Sequence, residues 1–129
     1  MPNTEKEKLS NKEFAEKLEK RTKKFAVDII NMTSKLRANP AGKVICYQLL
    51  KSGTSIGANY REANRSVSRA DFKNKISICT KEAAETQYWL ELIIESGLIP
   101  VEKIKDLYKE SGELLSIFTK IFATCKAKK

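Results

Sequence analysis

The chain contains no histidine. That absence removes the Ser-His-Asp and Cys-His nucleophilic sets, which need an imidazole to carry the proton. It also removes most zinc and non-haem iron sites, which need the neutral ring nitrogen. The three cysteines, Cys46, Cys79 and Cys125, are far apart and lack any Cys-x-x-Cys spacing. Neither a zinc site nor a disulfide scaffold is expected, and each reads as a small apolar residue at or beside a helical core position. A di-iron bundle needs Glu-x-x-His on two helices; Glu82-Ala83-Ala84-Glu85 has carboxylates three apart but nothing to complete that pattern. Lys81 and Glu85 fit a surface i,i+4 pair. There is no Walker loop and no Gly-x-Gly-x-x-Gly. No reacting set assembles, so the expectation is a protein that is not an enzyme, with no catalytic residues, no metal and no cofactor.

Basic side chains are the more informative chemistry. Lysine and arginine number 25 against 16 acidic residues, for a formal charge of +9 and a pI near 9.5. Such a balance favours solubility and attraction to polyanions. Lys17, Lys20, Arg21 and Lys24 share one helical face, with Lys23 beside them. Arg61, Arg65, Arg69 and Lys73 recur every four residues across a turn. Arginine suits the planar geometry of phosphate, so these eight residues are the candidate nucleic-acid contacts. Tyr60, next to the arginine set, either stacks on a base or packs inside. The competing reading is a solvated charged surface whose charge serves only solubility.

The stretch from Ser52 to Ala63 stands out for its composition. It has helical context but is rich in Gly, Ser, Thr and Asn. Glycine inside a helix costs about 1 kcal/mol relative to alanine, so Gly53 and Gly57 on one face imply close approach by a neighbouring backbone. Ser52, Ser55 and Asn59 fall on or beside the interior seam and need partners. The third helix offers Glu82, Glu85 and Thr86 at a matching height. Asn59 is expected to donate to Glu82 or Glu85, with Ser55 adding a bond and Glu62 holding Arg65 or Arg69. A device fixing the register of helices two and three is favoured over a ligand site.

Apolar spacing supplies the elements that position these residues. Helices are expected at about residues 12–37, 42–64, 69–96 and 100–125. The first seam runs Phe14, Leu18, Phe25, Ile29, Met32, Leu36, and the fourth Ile104, Tyr108, Ser111, Leu115, Phe118, Phe122, Cys125. Ser68 through Asp71 forms a capping signal for the third helix, Gly97 a stop for it, and Pro100 a start for the fourth. Short connections make this an all-α, single-domain, antiparallel up-down-up-down four-helix bundle. It spans residues 11–125, between a flexible segment at 1–10 and a basic tail at 126–129. Tyr47, Leu50, Tyr88, Trp89, Leu92, Leu114 and Ile117 exceed what one core face needs, and point to a second apolar face buried in self-association. No apolar run reaches the ~20 residues of a membrane span. The charged N-terminus lacks a secretory core, so a cytoplasmic location is expected.

Three segments carry a family resemblance: Leu-Leu-Lys-Ser-Gly-Thr-Ser-Ile-Gly-Ala-Asn-Tyr-Arg-Glu-Ala at 49–63, Ser-Arg-Ala-Asp-Phe at 68–72, and Lys-Glu-Ala-Ala-Glu-Thr-Gln-Tyr-Trp-Leu at 81–90. Over about residues 20–120 the chain resembles the bacterial 23S rRNA intervening-sequence proteins. The motif positions are Ser55, Gly57, Asn59, Glu62, Glu82, Glu85 and Trp89. The resemblance implies an antiparallel four-helix bundle assembled as a homopentamer, with no established catalytic residues. Members can be encoded within insertions in large-subunit ribosomal RNA genes. By shape alone, the implied fold is similar to the basic pentameric accessory protein of diversity-generating retroelements, which engages nucleic acid and a reverse transcriptase. The resulting expectation is an oligomeric bundle that binds RNA or DNA through basic surfaces with low sequence specificity. The alternative is a protein–protein scaffold or accessory subunit. A small-molecule role, with a ligand against Asn59 and Glu82, ranks third.

Overall fold

Four helices form the computed structural model: α1 (Glu5–Thr33), α2 (Pro40–Asn64), α3 (Arg69–Ser96) and α4 (Lys105–Ala127). The structure describes residues 5–36 and 38–127, and no strand occurs among them. The domain is an all-α four-helix bundle. Helix α1 packs on α2, α2 on α3 and α3 on α4, while α1 and α4 touch more sparsely.

Local chemistry sets most helix ends. Asn39 accepts from the Gly42 amide at 3.1 Å, with Pro40 in the first turn of α2. Ser68 accepts from the Asp71 amide at 3.1 Å, which satisfies a donor that α3 cannot satisfy internally. Gly97 ends α3 at φ 73°, a left-handed conformation that glycine adopts without a Cβ penalty.

Four ends differ from expectation. Helix α1 begins at Glu5, so residues 5–10, expected as a flexible segment, are helical; this stretch has no Gly or Pro to stop it. The same helix ends at Thr33 rather than near 37. The amides of Lys35 and Leu36 bond the carbonyls of Met32 and Thr33 in a tighter turn, which tucks Leu36 into the core. At the fourth helix, Val101–Lys103 forms a 3₁₀ turn after Pro100, and regular helix starts at Lys105. Helix α4 includes Lys126 and Ala127 of the expected basic tail; Lys128 and Lys129 lie outside the described residues.

Phe25, Ile29, Leu49, Ile56, Ile76, Leu90, Ile104, Leu114 and Phe118 are fully buried and form the centre of the core. Phe14, expected on the first seam, is 52% exposed. Its helix has run past the end of α2 by that point, since Glu19 already meets the last α2 residue, Asn64. The α4 seam runs through Ile104, Ser111, Leu114 and Phe118, leaving Leu115 and Phe122 half-buried. Tyr108 turns toward α3, where its hydroxyl donates to Glu91 at 2.9 Å. Leu114, expected on a second apolar face, therefore belongs to the core. Tyr47 and Tyr88 are 65% and 52% exposed, whereas Leu50, Trp89 and Ile117 pack partly against the core.

Candidate nucleic-acid interface

The glycines and serines of α2 work on two different neighbours. Gly53 and Gly57 face α1. A Cβ on Gly57 would lie 3.0 Å from Thr22 Oγ1 and 3.3 Å from the Thr22 backbone carbon, and one on Gly53 3.1 Å from Ile29 Cγ1. The polar tie to α3 is Ser52, whose hydroxyl shares a 2.9 Å hydrogen bond with that of Thr86. Both groups are buried, so the pair satisfies what would otherwise be a costly desolvation.

The rest of the expected network does not form. Asn59 donates to the Ser55 carbonyl of its own helix at 2.8 Å, and Ser55 donates back to Lys51. Both lie at the half-buried edge of α2, where a backbone carbonyl one turn away is the nearer acceptor. Glu62 accepts from Lys75 at 2.6 Å, across to α3, rather than from Arg65 or Arg69. No Lys81–Glu85 ion pair occurs among the described residues. Glu82 makes no ion pair among the described residues; partial burial, and then the charge of Glu85, push its pKa up against the weaker pull of Lys81 and Lys51. Trp89 buries its indole N–H with no hydrogen-bond partner among the described residues.

The first basic cluster divides. Arg21 turns into the bundle and is engaged by Glu110 at 2.6 Å and Glu113 at 2.7 Å, both on α4. Lys24 pairs with Asp28 at 2.8 Å, one turn along. Lys17 and Lys20 are exposed and make no ion pair among the described residues. The expected four-cation face is therefore two cations, because α4 brings carboxylates to Arg21 and Asp28 of α1 itself pairs with Lys24.

The second cluster also divides. Arg61 lies 3.7 Å from Glu19, within a groove that Lys23 and Arg65 share. Tyr60, the possible base-stacking residue, is buried and packs edge-to-face on Phe118 with centroids 5.4 Å apart. Arg65 and Arg69 flank the α2–α3 turn, exposed and in no ion pair among the described residues. Lys73 sits 5.6 Å above the Phe122 ring, a cation–π contact that leaves its ammonium N–H groups available. Sequence spacing missed the neutralising partners Glu110, Glu113 and Lys75, which are distant in the chain. Only Asp28, four residues from Lys24, carried a local signal.

Among the described residues, no three acidic or cysteine side chains gather as metal ligands, and no helix is long and apolar enough to cross a membrane.

The model of the 23S rRNA-intervening sequence protein family matches residues 16–120. The chain belongs to this family. It is also similar to a solved structure, a protein of unknown function from the S23 ribosomal protein family of Bacteroides thetaiotaomicron. The two are 42% identical, over 81% of this chain and 96% of that one, with a TM-score of 0.75. None of the curated proteins matches the chain.

Within this intervening-sequence family member, the resemblance positions lie on two helices, α2 and α3. Ser55, Asn59 and Glu62 follow steps of four and three along α2; Glu82, Glu85 and Trp89 follow steps of three and four along α3. Such spacing keeps each set on one side of its helix. Gly57 is the exception, turned to α1.

Proposed function

We propose that the protein is a non-enzymatic helical bundle that binds RNA or DNA through its basic surface, with little sequence preference. The observation that carries this reading is the α2–α3 turn. Arg65 and Arg69 stand exposed on either side of it, neither in an ion pair among the described residues, on a chain of net charge +9. Lys17 and Lys20 add two further exposed cations on α1. Phosphate contacts of this kind position a polyanion without reading its bases, and they release counterions. An electrophoretic shift with ribosomal RNA fragments tests the reading: a shift at low salt that weakens at moderate salt is expected, and no shift at either rules it out.

Helix order and assembly belong to the same proposal. The pairs Glu62–Lys75, Ile56–Cys79 and Ser52–Thr86 advance along α3 as they retreat along α2. They support an antiparallel up-down-up-down order. Exposed Tyr47 and Tyr88, with a Trp89 N–H that has no partner among the described residues, favour association with further copies of the chain. The pentameric ring is carried over from the family resemblance and would multiply the basic surface around one axis. Light scattering that returns a monomer mass contradicts it.

A further inference from the structure

Three surface grooves among the described residues differ in charge. The groove between α1 and α4 holds Lys24, Lys35 and Lys103 but also Asp28, Asp106 and Glu110. The groove between α1 and α2 holds Arg61 and Arg65 but also Glu19 and Glu62. The third, about 590 Å³, lies between the α2–α3 turn and the C-terminal half of α4. Arg69 and Lys73 line it, and no carboxylate does among the described residues. Its walls are otherwise mostly apolar: Val67, Phe72, Ile121 and the Cys125 side chain.

That combination selects a ligand chemistry. A duplex presents phosphates and hides the faces of its bases, so it has no use for an apolar wall. An unstacked nucleotide offers both parts at once, a flat apolar base and an adjoining phosphate. Val67 sharpens the point. It is 95% exposed, a large apolar side chain at the tip of a turn, where it contributes almost nothing to the core. Lys73 is anchored by the Phe122 ring and makes no ion pair among the described residues, which holds a cation on the rim.

We propose that this groove holds one unstacked base of a single-stranded nucleic acid, with Arg69 and Lys73 on the adjoining phosphates. The proposal rests on the nucleic-acid reading above and narrows it to single strands and to one end of the bundle. The walls offer few hydrogen-bonding groups with which to distinguish bases, so the groove accepts any base with weak preference.

The test uses the full chain and fluorescein-labelled oligouridine and oligothymidine of about twelve nucleotides, with a duplex of equal length as comparison. Anisotropy at low salt is expected to give tighter binding of the single strands than of the duplex. Arg69→Gln and Val67→Asp are each expected to weaken single-strand binding by roughly tenfold. Lys103→Gln, outside this groove, should leave it unchanged. Both substituted side chains are exposed, so thermal unfolding of the variants should match the native chain. Bound oligonucleotide should also slow maleimide labelling of Cys125, the half-buried thiol in the wall. If the native chain binds while both variants bind equally well, or Cys125 labels at the same rate, the groove assignment is wrong and the broader reading survives. Duplex binding as tight as single-strand binding also overturns the assignment. If the native chain binds none of the probes, the broader reading fails and the groove assignment falls with it.

Discussion

The Arg21 guanidinium grips Glu110 at two points, Nε to Oε2 at 2.6 Å and Nη2 to Oε1 at 2.7 Å. The same Nη2 reaches Glu113 at 2.7 Å. Hydrogen bonding to Glu110 raises the Arg21 pKa further above its ordinary value, against the opposing effect of partial burial. The arginine is thus committed to joining α1 to α4, the seam with the fewest other contacts. A two-point carboxylate contact has directional strength, but partial exposure and salt screening limit its worth.

Arg21→Gln should therefore lower stability by up to about 1 kcal/mol and change nucleic-acid affinity by less than about twofold, since its charge is already neutralised. Lys17→Gln with Lys20→Gln should do the reverse, weakening binding with little effect on stability. Urea unfolding and anisotropy on the same samples separate the two effects. Loss of binding in the Arg21 variant alone would return that residue to the interface.

Two glycines should respond to alanine in opposite ways. At Gly112 a Cβ would meet only the end of the Gln87 side chain, at 3.1 Å, which can swing away. Gly112→Ala should stabilise by about 0.5–1 kcal/mol through helix propensity. At Gly57 the Cβ meets Thr22 side chain and backbone within 3.3 Å, and Thr22 is buried with its hydroxyl bonded to the Leu18 carbonyl. Overpacking there costs about 1–3 kcal/mol, so Gly57→Ala should be neutral to destabilising despite the better propensity. Urea midpoints decide it, and a stabilised Gly57 variant would contradict the close α1–α2 approach.

How these features stood in the sequence is uneven, and the reason is physical. The caps at Ser68 and Gly97 were legible because each depends on residues within one turn of itself. The close approach at Gly53 and Gly57 was legible as an approach, but not its direction. Spacing gives a face of α2 without saying which helix lies against it, and the neighbour is α1. Ser52 with Thr86 was among the possible pairs, while Asn59 and Ser55 chose carbonyls of their own helix. The fate of Arg21 was illegible, because its partners are 89 and 92 residues away. Tyr60 left the candidate interface for the same kind of reason: its packing partner, Phe118, sits on a different helix.

Glu82 makes stability depend on pH in a defined sense. Burial and then Glu85 raise its pKa in the folded protein. A raised folded value means that the native state holds the proton more tightly than the unfolded chain does. Its favourable contribution is present in acid, below the unfolded value, and is lost as pH rises through the raised folded value. Glu82→Gln should therefore be more stable than the native chain at neutral pH, with the gap closing as pH falls to about 4, near the ordinary glutamate range. Urea midpoints across that interval check the direction. A destabilised Gln variant at neutral pH would mean that the carboxylate has a partner.

The thiols should separate by burial. Burial pushes the Cys79 thiol up to about 12, leaving almost no thiolate at neutral pH. Cys46 is likewise buried, and Cys125 is half-buried. In the native protein one thiol should react readily with a disulfide reagent, and the other two only on unfolding. Mass mapping of the labelled peptide should place the reactive thiol at Cys125. Rapid reaction of all three would contradict the packing of α2 against α1 and α3.

The slope of binding affinity against salt tests the central claim most directly. If Lys17, Lys20, Arg65, Arg69 and Lys73 each neutralise one phosphate of a single strand, log affinity should fall against log salt with a slope of roughly −3.5 per chain. Measured by anisotropy between about 50 and 200 mM salt, that slope should become shallower by about 0.7 in Arg69→Gln. Absence of binding at the lowest salt, or an affinity that stays flat across the range, would contradict a basic surface that binds nucleic acid.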